Sequence, residues 1–513
     1  MPPRHRLATV AAITAAVLGA TAPHAAAFCG FYVGGADATL FNNATQVVLM
    51  RHGTTTVLSM VNNYQGPPEG FALVVPVPVV VKAQQVKTLD RAVFDKVDTL
   101  GAPRLVEYWE RDPCQVDDRD DDAVAPVMPN DLASDEDPQR AAGADHVKIE
   151  AQFTVAEYDV VVLSATESTG LARWLVANHY QIPAGAEPLL RPYVEAGTKF
   201  FVAKVDPRKV TFVDGMATLS PLRVTYDSPD FALPIRLGLA NSGGTQDLIV
   251  NILAPGGVRY EVANYPNATI PTNLVVKPDV RGRFAEFYAA LFDHALALAP
   301  GAVVTEYAWD ASSCDPCPGP TLASDDLATL GADALTATYQ DVALSGFTLT
   351  RLHARYGAEV ADDLVFRAVE PLTGGRGIPA ADGALDTDVA RGWTNAFQGR
   401  YVMLHPWTGA VACAAPVPGR WGGPPAGAEI AAPVAARDTA FAPRGQVELD
   451  DLVASPVPAL APLASNGQRL PIPIRKASGC ACDASTSSVP TAGGLAALTL
   501  GVVLRRRRRA RRA

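Results

Sequence analysis

The stretch Gln46-Val-Val-Leu-Met-Arg-His-Gly-Thr-Thr-Thr-Val-Leu-Ser-Met-Val61 decides how the rest of the chain is read. Two runs rich in β-branched residues, 46–50 and 56–61, flank Arg51-His52-Gly53, and such punctuated runs are the signature of a β-hairpin. Gly53 supplies the positive φ that a tight turn requires. A third run, 71–81, follows Gly66-Pro67-Pro68. Its Val75-Pro76-Val77-Pro78 core lacks two ladder donors, which places it at a sheet edge or in an extended arm.

Working outward, residues 90–100 read as a short helix. Residues 115–145 form an acidic loop, Pro-rich and without apolar period between Asp117 and Arg140. Strand character returns at 147–164. Ser168-Thr169 stands where an N-cap would open a helix over 171–179, and 188–196 adds another. Strands are expected at 198–205, 222–226, 233–239 and 248–253, with a faint echo of residues 71–79 in 231–239. Residues 281–299 hold the strongest helix, with Phe284, Phe287, Tyr288, Leu291, Phe292 and Ala295 on one face, stopped by Pro300-Gly301. A helix near 322–330 and strands at 347–356, 364–369 and 399–406 complete the body. The expected fold is α+β and β-dominated: antiparallel sheets with a few packed helices, in one body or two subdomains meeting near the 281–299 helix. Residues 414–477, rich in Pro, Ala and Gly, read as a stalk.

The two ends carry addresses. Arg4, His5 and Arg6 precede an apolar run at 7–20 and an A-x-A site, so residues 1–27 read as a signal peptide cleaved by signal peptidase between Ala27 and Phe28. Bulky Phe28 ahead of Cys29 argues against a lipobox. At the other end, residues 478–513 contain Cys480 and Cys482, an apolar run at 489–504, and a basic cluster that includes Arg505, Arg506, Arg507, Arg508 and Arg509. Sixteen apolar residues fall short of the roughly 20 that span a bilayer, and the arginines would hold the tail on the cytoplasmic side. A short Cys motif, a marginal apolar segment and a terminal Arg cluster together resemble the MYXO-CTERM sorting tail of myxobacterial surface proteins. That resemblance implies cleavage by a myxosortase-type membrane protease and attachment to the cell surface or outer envelope through Cys480 or Cys482. A plain C-terminal transmembrane anchor is the alternative.

The net charge of -10 understates the acidity of what lies between. Without the two signals, 34 basic residues face 52 acidic ones, a balance of -18. Such a surface argues against nucleic acid as a partner and favours solubility outside the cell. Five cysteines remain there: Cys29, Cys114, Cys314, Cys317 and Cys413. Export makes disulfides the expected state, with connectivity open. Cys314-Asp315-Pro316-Cys317 has redox-centre spacing, but Pro318-Gly319-Pro320 follows where a helix would have to lower a thiol pKa, so a structural disulfide is the better reading.

Four phrases carry a second resemblance: the 23 residues from Cys29, R-L-V-E-Y-W from Arg104, R-Y-E-V-A-N-Y-P-N from Arg259 and E-Y-A-W-D-A-S-S-C-D-P-C from Glu306. With F-Q-G-R-Y-V-M-L-H-P-W from Phe397, they resemble the bacterial domain of unknown function 2330 family over residues 28–413. The resemblance implies an exported protein and assigns no activity. Residues 47–54 also resemble the strand-then-R-H-G opening of histidine phosphatases, which would need a second His and further arginines in one pocket. Because 55–61 continues as a strand, His52-Gly53 reads as a turn instead. His146, His179, His294, His353 and His405 lack metal-ligand spacing, the aspartates at 117–122 lack an EF-hand's Gly and Glu, and no cofactor is expected. The expected function is a non-catalytic binding, adhesion or scaffold ectodomain with an unknown extracellular ligand. The alternative is an extracytoplasmic hydrolase or thiol oxidoreductase.

Overall fold

Two sheets lie face to face, and helices cover both outer surfaces. The structure, a computed structural model, describes residues 31–33, 44–61, 63–65, 72–115, 147–425 except 179, 181, 184, 214, 215, 242 and 243, and 442–458 except 443 and 446. All belong to one compact unit. The signal peptide with Ala27 and Phe28, Cys29, the acidic loop past Gln115, Cys480, Cys482 and the terminal arginines fall outside the described residues.

The larger sheet has eleven strands and is built around Gln246–Pro255, Ala44–His52 and Phe347–Tyr356. Ala44–His52 and Thr55–Met60 pair antiparallel, with His52 opposite Thr55, so the R-H-G stretch is the expected hairpin turn. Gly53 sits at φ +55°, and a Cβ there would come within 2.5 Å of the Tyr339 hydroxyl. On its other edge Ala44–His52 pairs parallel with Gln246–Pro255, which makes the sheet mixed. Only the local hairpin was readable in sequence; the parallel pairing joins strands some 200 residues apart. Gln246–Pro255 is buried along nearly its whole length, as a central strand covered on both faces must be.

The smaller sheet orders Phe31–Val33, Ala72–Val77, Lys199–Val205, Tyr158–Ala165 and Val147–Val155, all antiparallel. Phe31–Val33 reaches only Ala72 to Val74, so Pro76 pairs Phe200 on one side and meets no described strand on the other. Val47, Leu49, Leu58 and Met60 of the larger sheet interlock with Val75, Val77, Val160 and Phe201 of the smaller one. Helices Ser168–Ala177 and Ala186–Glu195 cover the far face of the smaller sheet through Leu171, Leu175 and Leu190. Ala92–Gly101 and the turns at Ser324–Thr338 cover the far face of the larger, joined by Phe284–Leu298 against Tyr401 and Val304.

Two expectations change. Residues 233–239 form no full strand: after Ala232–Leu233 the chain enters a 3-10 turn at Arg236–Asn241. Pro234 offers no N–H, and the Asp363 carboxylate accepts the N–H groups of Ile235 and Arg236, so ladder pairing loses its donors. Ser168 is the first helical residue rather than a cap; its hydroxyl donates to Glu187.

The stretch expected to be all stalk also carries structure. Trp421–Gly422 pairs antiparallel with Arg104–Glu110, and a short helix at Leu449–Leu452 buries Leu452 against the Phe284–Leu298 helix. Lys277 donates to the Asp450 and Asp451 carbonyls, and Val453 bridges Val276. Overall composition hid these points: a few apolar residues and one amine suffice to dock a segment that is otherwise Pro- and Ala-rich.

Candidate functional site

The hairpin residues do not assemble a phosphate pocket. Arg51 is buried, and its guanidinium donates to the Thr54 carbonyl, the Thr56 hydroxyl and the carbonyls of Ser228 and Pro229 at 2.7 to 3.2 Å. Those acceptors hold the guanidinium as a brace between the turn and the 228–229 loop. His52 meets Asp341 at 3.3 Å and the edge of Tyr339.

Cys314 and Cys317 form a disulfide, and so do Cys114 and Cys413, 299 positions apart. No helix begins at Cys317; irregular chain runs on to Ser324. Neither sulfur of this pair therefore faces a helix N-terminus that would activate it.

Two clusters of buried charge do assemble. The first is organised by Phe347–Tyr356, whose two-residue period puts Arg351, His353 and Arg355 on one face. The neighbouring strand Val303–Asp310 shifts register between Thr305 and Tyr307, and this bulge turns Glu306 toward that face. Glu306 accepts from Arg351 Nε at 2.7 Å and from His353 Nδ1 at 2.7 Å, and the Tyr288 hydroxyl donates to it. Arg351 Nη1 reaches Asp98 at 2.6 Å. His353 Nε2 meets Asp247 at 3.0 Å, and Phe292 stacks on its ring at 3.9 Å. Arg355 and Arg444 close the set against Asp247 and Asp293.

Both His353 nitrogens face carboxylate oxygens, so the doubly protonated ring satisfies both. Burial disfavours that charge, but the Glu306 and Asp247 carboxylates outweigh it and raise the pKa. Burial likewise works against the Glu306 anion, yet His353 and Arg351 hold its pKa down to about 2. Four cations thus meet four carboxylates. Glu306, Arg351 and His353 are sealed from solvent, whereas Asp293 and Arg355 at the rim are partly exposed, and the sealed part ties its strands together through paired charge.

The second cluster pairs its cations with neutral acceptors. Arg104 and Arg400 lie opposite one another on the parallel strands Arg104–Glu110 and Arg400–His405, and both are buried. Arg104 donates to the carbonyls of Leu100 and Pro316 and sits 5.6 Å from the Tyr307 ring. Arg400 donates to Asn273 Oδ1 at 2.8 Å, to the Gly377 carbonyl at 2.8 Å and to the Tyr108 hydroxyl at 3.2 Å. Among the described residues neither has a carboxylate within ion-pair reach. Burial lowers both pKa values. Two loops roof the pair. The Asp315 carbonyl of the disulfide loop accepts from Gln398 Nε2, and the carbonyls of Gly374-Gly375-Arg376-Gly377 accept from Gln398, Asn273 and Arg400. Gly375 has φ +67°, and a Cβ there would lie 2.0 Å from the Gln398 carbonyl, so only glycine permits this approach.

Residues 23–367 match the family described as "Uncharacterized protein conserved in bacteria (DUF2330)". The chain belongs to the DUF2330 family. No curated protein and no solved structure matches it. In this DUF2330 chain three of the phrases that carried the resemblance meet at the Arg104–Arg400 cluster. R-L-V-E-Y-W supplies Arg104 and Tyr108, E-Y-A-W-D-A-S-S-C-D-P-C supplies Tyr307 and the disulfide loop, and F-Q-G-R-Y supplies Gln398 and Arg400. The family match ends before residue 397, so the last phrase lies beyond it.

Sequence reasoning named Cys314 and Cys317 but passed over both arginines and Glu306. The signal was present, because Arg104, Glu306 and Arg400 each stand inside a quoted phrase. What was missing was the register that makes them neighbours. Cys114 and Cys413, left open in sequence, are joined to each other.

Proposed function

We propose that this DUF2330 chain is an exported, non-catalytic binding or scaffold protein, held at the cell surface by its C-terminal tail. One observation carries the reading: all four described cysteines are in disulfides, one of which ties residue 114 to residue 413. Bonds of that kind persist in oxidising compartments and are rare in the cytosol. The signal-like residues 1–27 and the tail with Cys480, Cys482 and its arginines point the same way. Against the hydrolase or oxidoreductase alternative, Arg51 is held by its own carbonyl acceptors and the Cys314–Cys317 pair has no activating helix.

Labelling intact cells with a membrane-impermeant reagent tests the reading. Wild-type protein is expected to label without lysis, and Cys480→Ser with Cys482→Ser to release the protein or leave it unlabelled. Labelling that both substitutions leave unchanged would sink Cys-dependent anchoring, and labelling only after lysis would sink export.

A further inference from the structure

We propose that Cys314–Cys317 is a redox latch: an external dithiol reduces this bond while Cys114–Cys413 stays closed, and reduction loosens the loop that holds Arg104 and Gln398. The latch goes beyond the display reading and does not depend on how the tail anchors the chain.

The two disulfides differ first in access. Cys317 is exposed and follows exposed Pro316, whereas Cys314 is half-buried against the core that holds Val97, Leu100 and Leu322. Cys114 and Cys413 are both half-buried. A thiolate has to reach a sulfur before it can break the bond, and Cys317 offers the most accessible one. They differ also in what depends on them. Cys114–Cys413 ties positions 299 apart, so opening it releases a large share of the unfolded chain's freedom. Cys314–Cys317 spans a separation of 3, and opening it releases little. The fold therefore survives reduction at 314 and 317, as a reversible device requires.

What the bond controls lies between its sulfurs. The carbonyls of Asp315 and Pro316 accept from Gln398 Nε2 and Arg104 Nη1, and both of those side chains are buried. Without Pro316, Arg104 keeps the Leu100 carbonyl, and its Nε is already buried without an acceptor among the described residues. A buried guanidinium that loses an acceptor must move or admit water. Arg104 N also donates to the Gly399 carbonyl, so a shift at the start of Arg104–Glu110 passes to the junction between Ala396–Gln398 and Arg400–His405. The step itself is thiol–disulfide exchange. One thiolate of the dithiol attacks Cys317 Sγ and Cys314 leaves as a thiolate; the second thiol then attacks the mixed disulfide, freeing Cys317 and closing the reagent's own S–S bond. Two electrons and two protons pass from the dithiol to the two cysteines.

Stepwise dithiothreitol on the purified full-length protein under native conditions tests the latch, with free thiols trapped by iodoacetamide and located by peptide mass spectrometry. Cys314 and Cys317 are expected to alkylate at about tenfold lower dithiothreitol than Cys114 and Cys413. In protein reduced only at 314 and 317, amide hydrogen exchange should quicken several-fold at 100–105 and 396–401, and remain unchanged at 199–205 in the smaller sheet. Oxidised glutathione should restore the slow exchange. The Cys314→Ser, Cys317→Ser double variant should exchange at the fast rate with or without reductant; if it does not fold, the wild-type reduction series still decides. Opening of Cys114–Cys413 first, or at the same reductant concentration, overturns the proposal. So does reduction at 314 and 317 that leaves exchange at 100–105 and 396–401 as it was. Surface labelling of intact cells reads out separately, so the display reading stands or falls without the latch.

Discussion

The cluster around Glu306 and the pair at Arg104 and Arg400 lie on the same half of the molecule, yet they balance charge in opposite ways. Around Glu306 every buried cation meets a carboxylate, and Glu306, Arg351 and His353 are sealed from solvent. Beneath the disulfide loop two buried cations meet only carbonyls, an amide oxygen and a hydroxyl. The contrast separates two uses of buried charge. The first ties strands together through opposite charges, and the second through neutral acceptors, as Arg51 does at the hairpin.

The largest expected effect breaks this comparison if it fails. Arg351→Met removes the buried cation that Glu306 and Asp98 share, leaving Glu306 only His353 and the Tyr288 hydroxyl, and should cost about 3–5 kcal/mol. Arg104→Met strands no carboxylate and should cost about 1–2 kcal/mol through its two lost hydrogen bonds. Urea midpoints at unchanged m-value measure both, and equal costs would erase the distinction.

A smaller effect sharpens it through pH. Glu306 is held down to about 2, so its contribution is present above about pH 4.3, the unfolded value, and is lost as pH falls toward 2. His353 is shifted up, so its contribution is complete below about pH 6.5 and disappears as pH rises through its raised folded value. Thermal midpoints across this range should fall at both ends, and His353→Gln should flatten the alkaline decline. An alkaline decline unchanged in that variant would show that the ring is not the source.

The smallest effect concerns the edge of the Glu306 set. Arg444→Ala removes the contacts to Asp247 and Asp293 that fasten the 442–458 segment, at about 1 kcal/mol. Limited proteolysis should then cut this segment faster while the core remains intact. Equal cutting rates would mean that Leu452 and Val453 hold the segment without help.

Much of the fold was legible because its signals are local. The strand at Phe347–Tyr356 has the bounds its β-branched and aromatic content suggested, and the hairpin followed from two apolar runs about Gly53. The 233–239 segment misled because Asp363, more than a hundred residues away, takes the donors a strand would use. The docked 449–457 segment was hidden by a composition that dilutes Leu452 and Val453 with Pro and Ala. The site was illegible for a related reason. Nothing in E-Y-A-W-D announces a bulge at Glu306, and nothing in R-L-V-E-Y-W says that Arg104 will stand beside Arg400. Both depend on cross-strand register, which a single chain read in order does not display.

The Cys114–Cys413 bond has a mechanical consequence. Tension applied between the two ends of this protein would pass through the sulfur bridge and bypass the chain between, shielding roughly 1,000 Å of extended contour from stretching. The larger sheet's strands from Gln246 to Gln398 all lie inside that loop, as do both charge clusters apart from Asp98, Arg104, Tyr108 and Arg444. A protein loaded by shear would yield first at its outer segments while the enclosed strands kept their length.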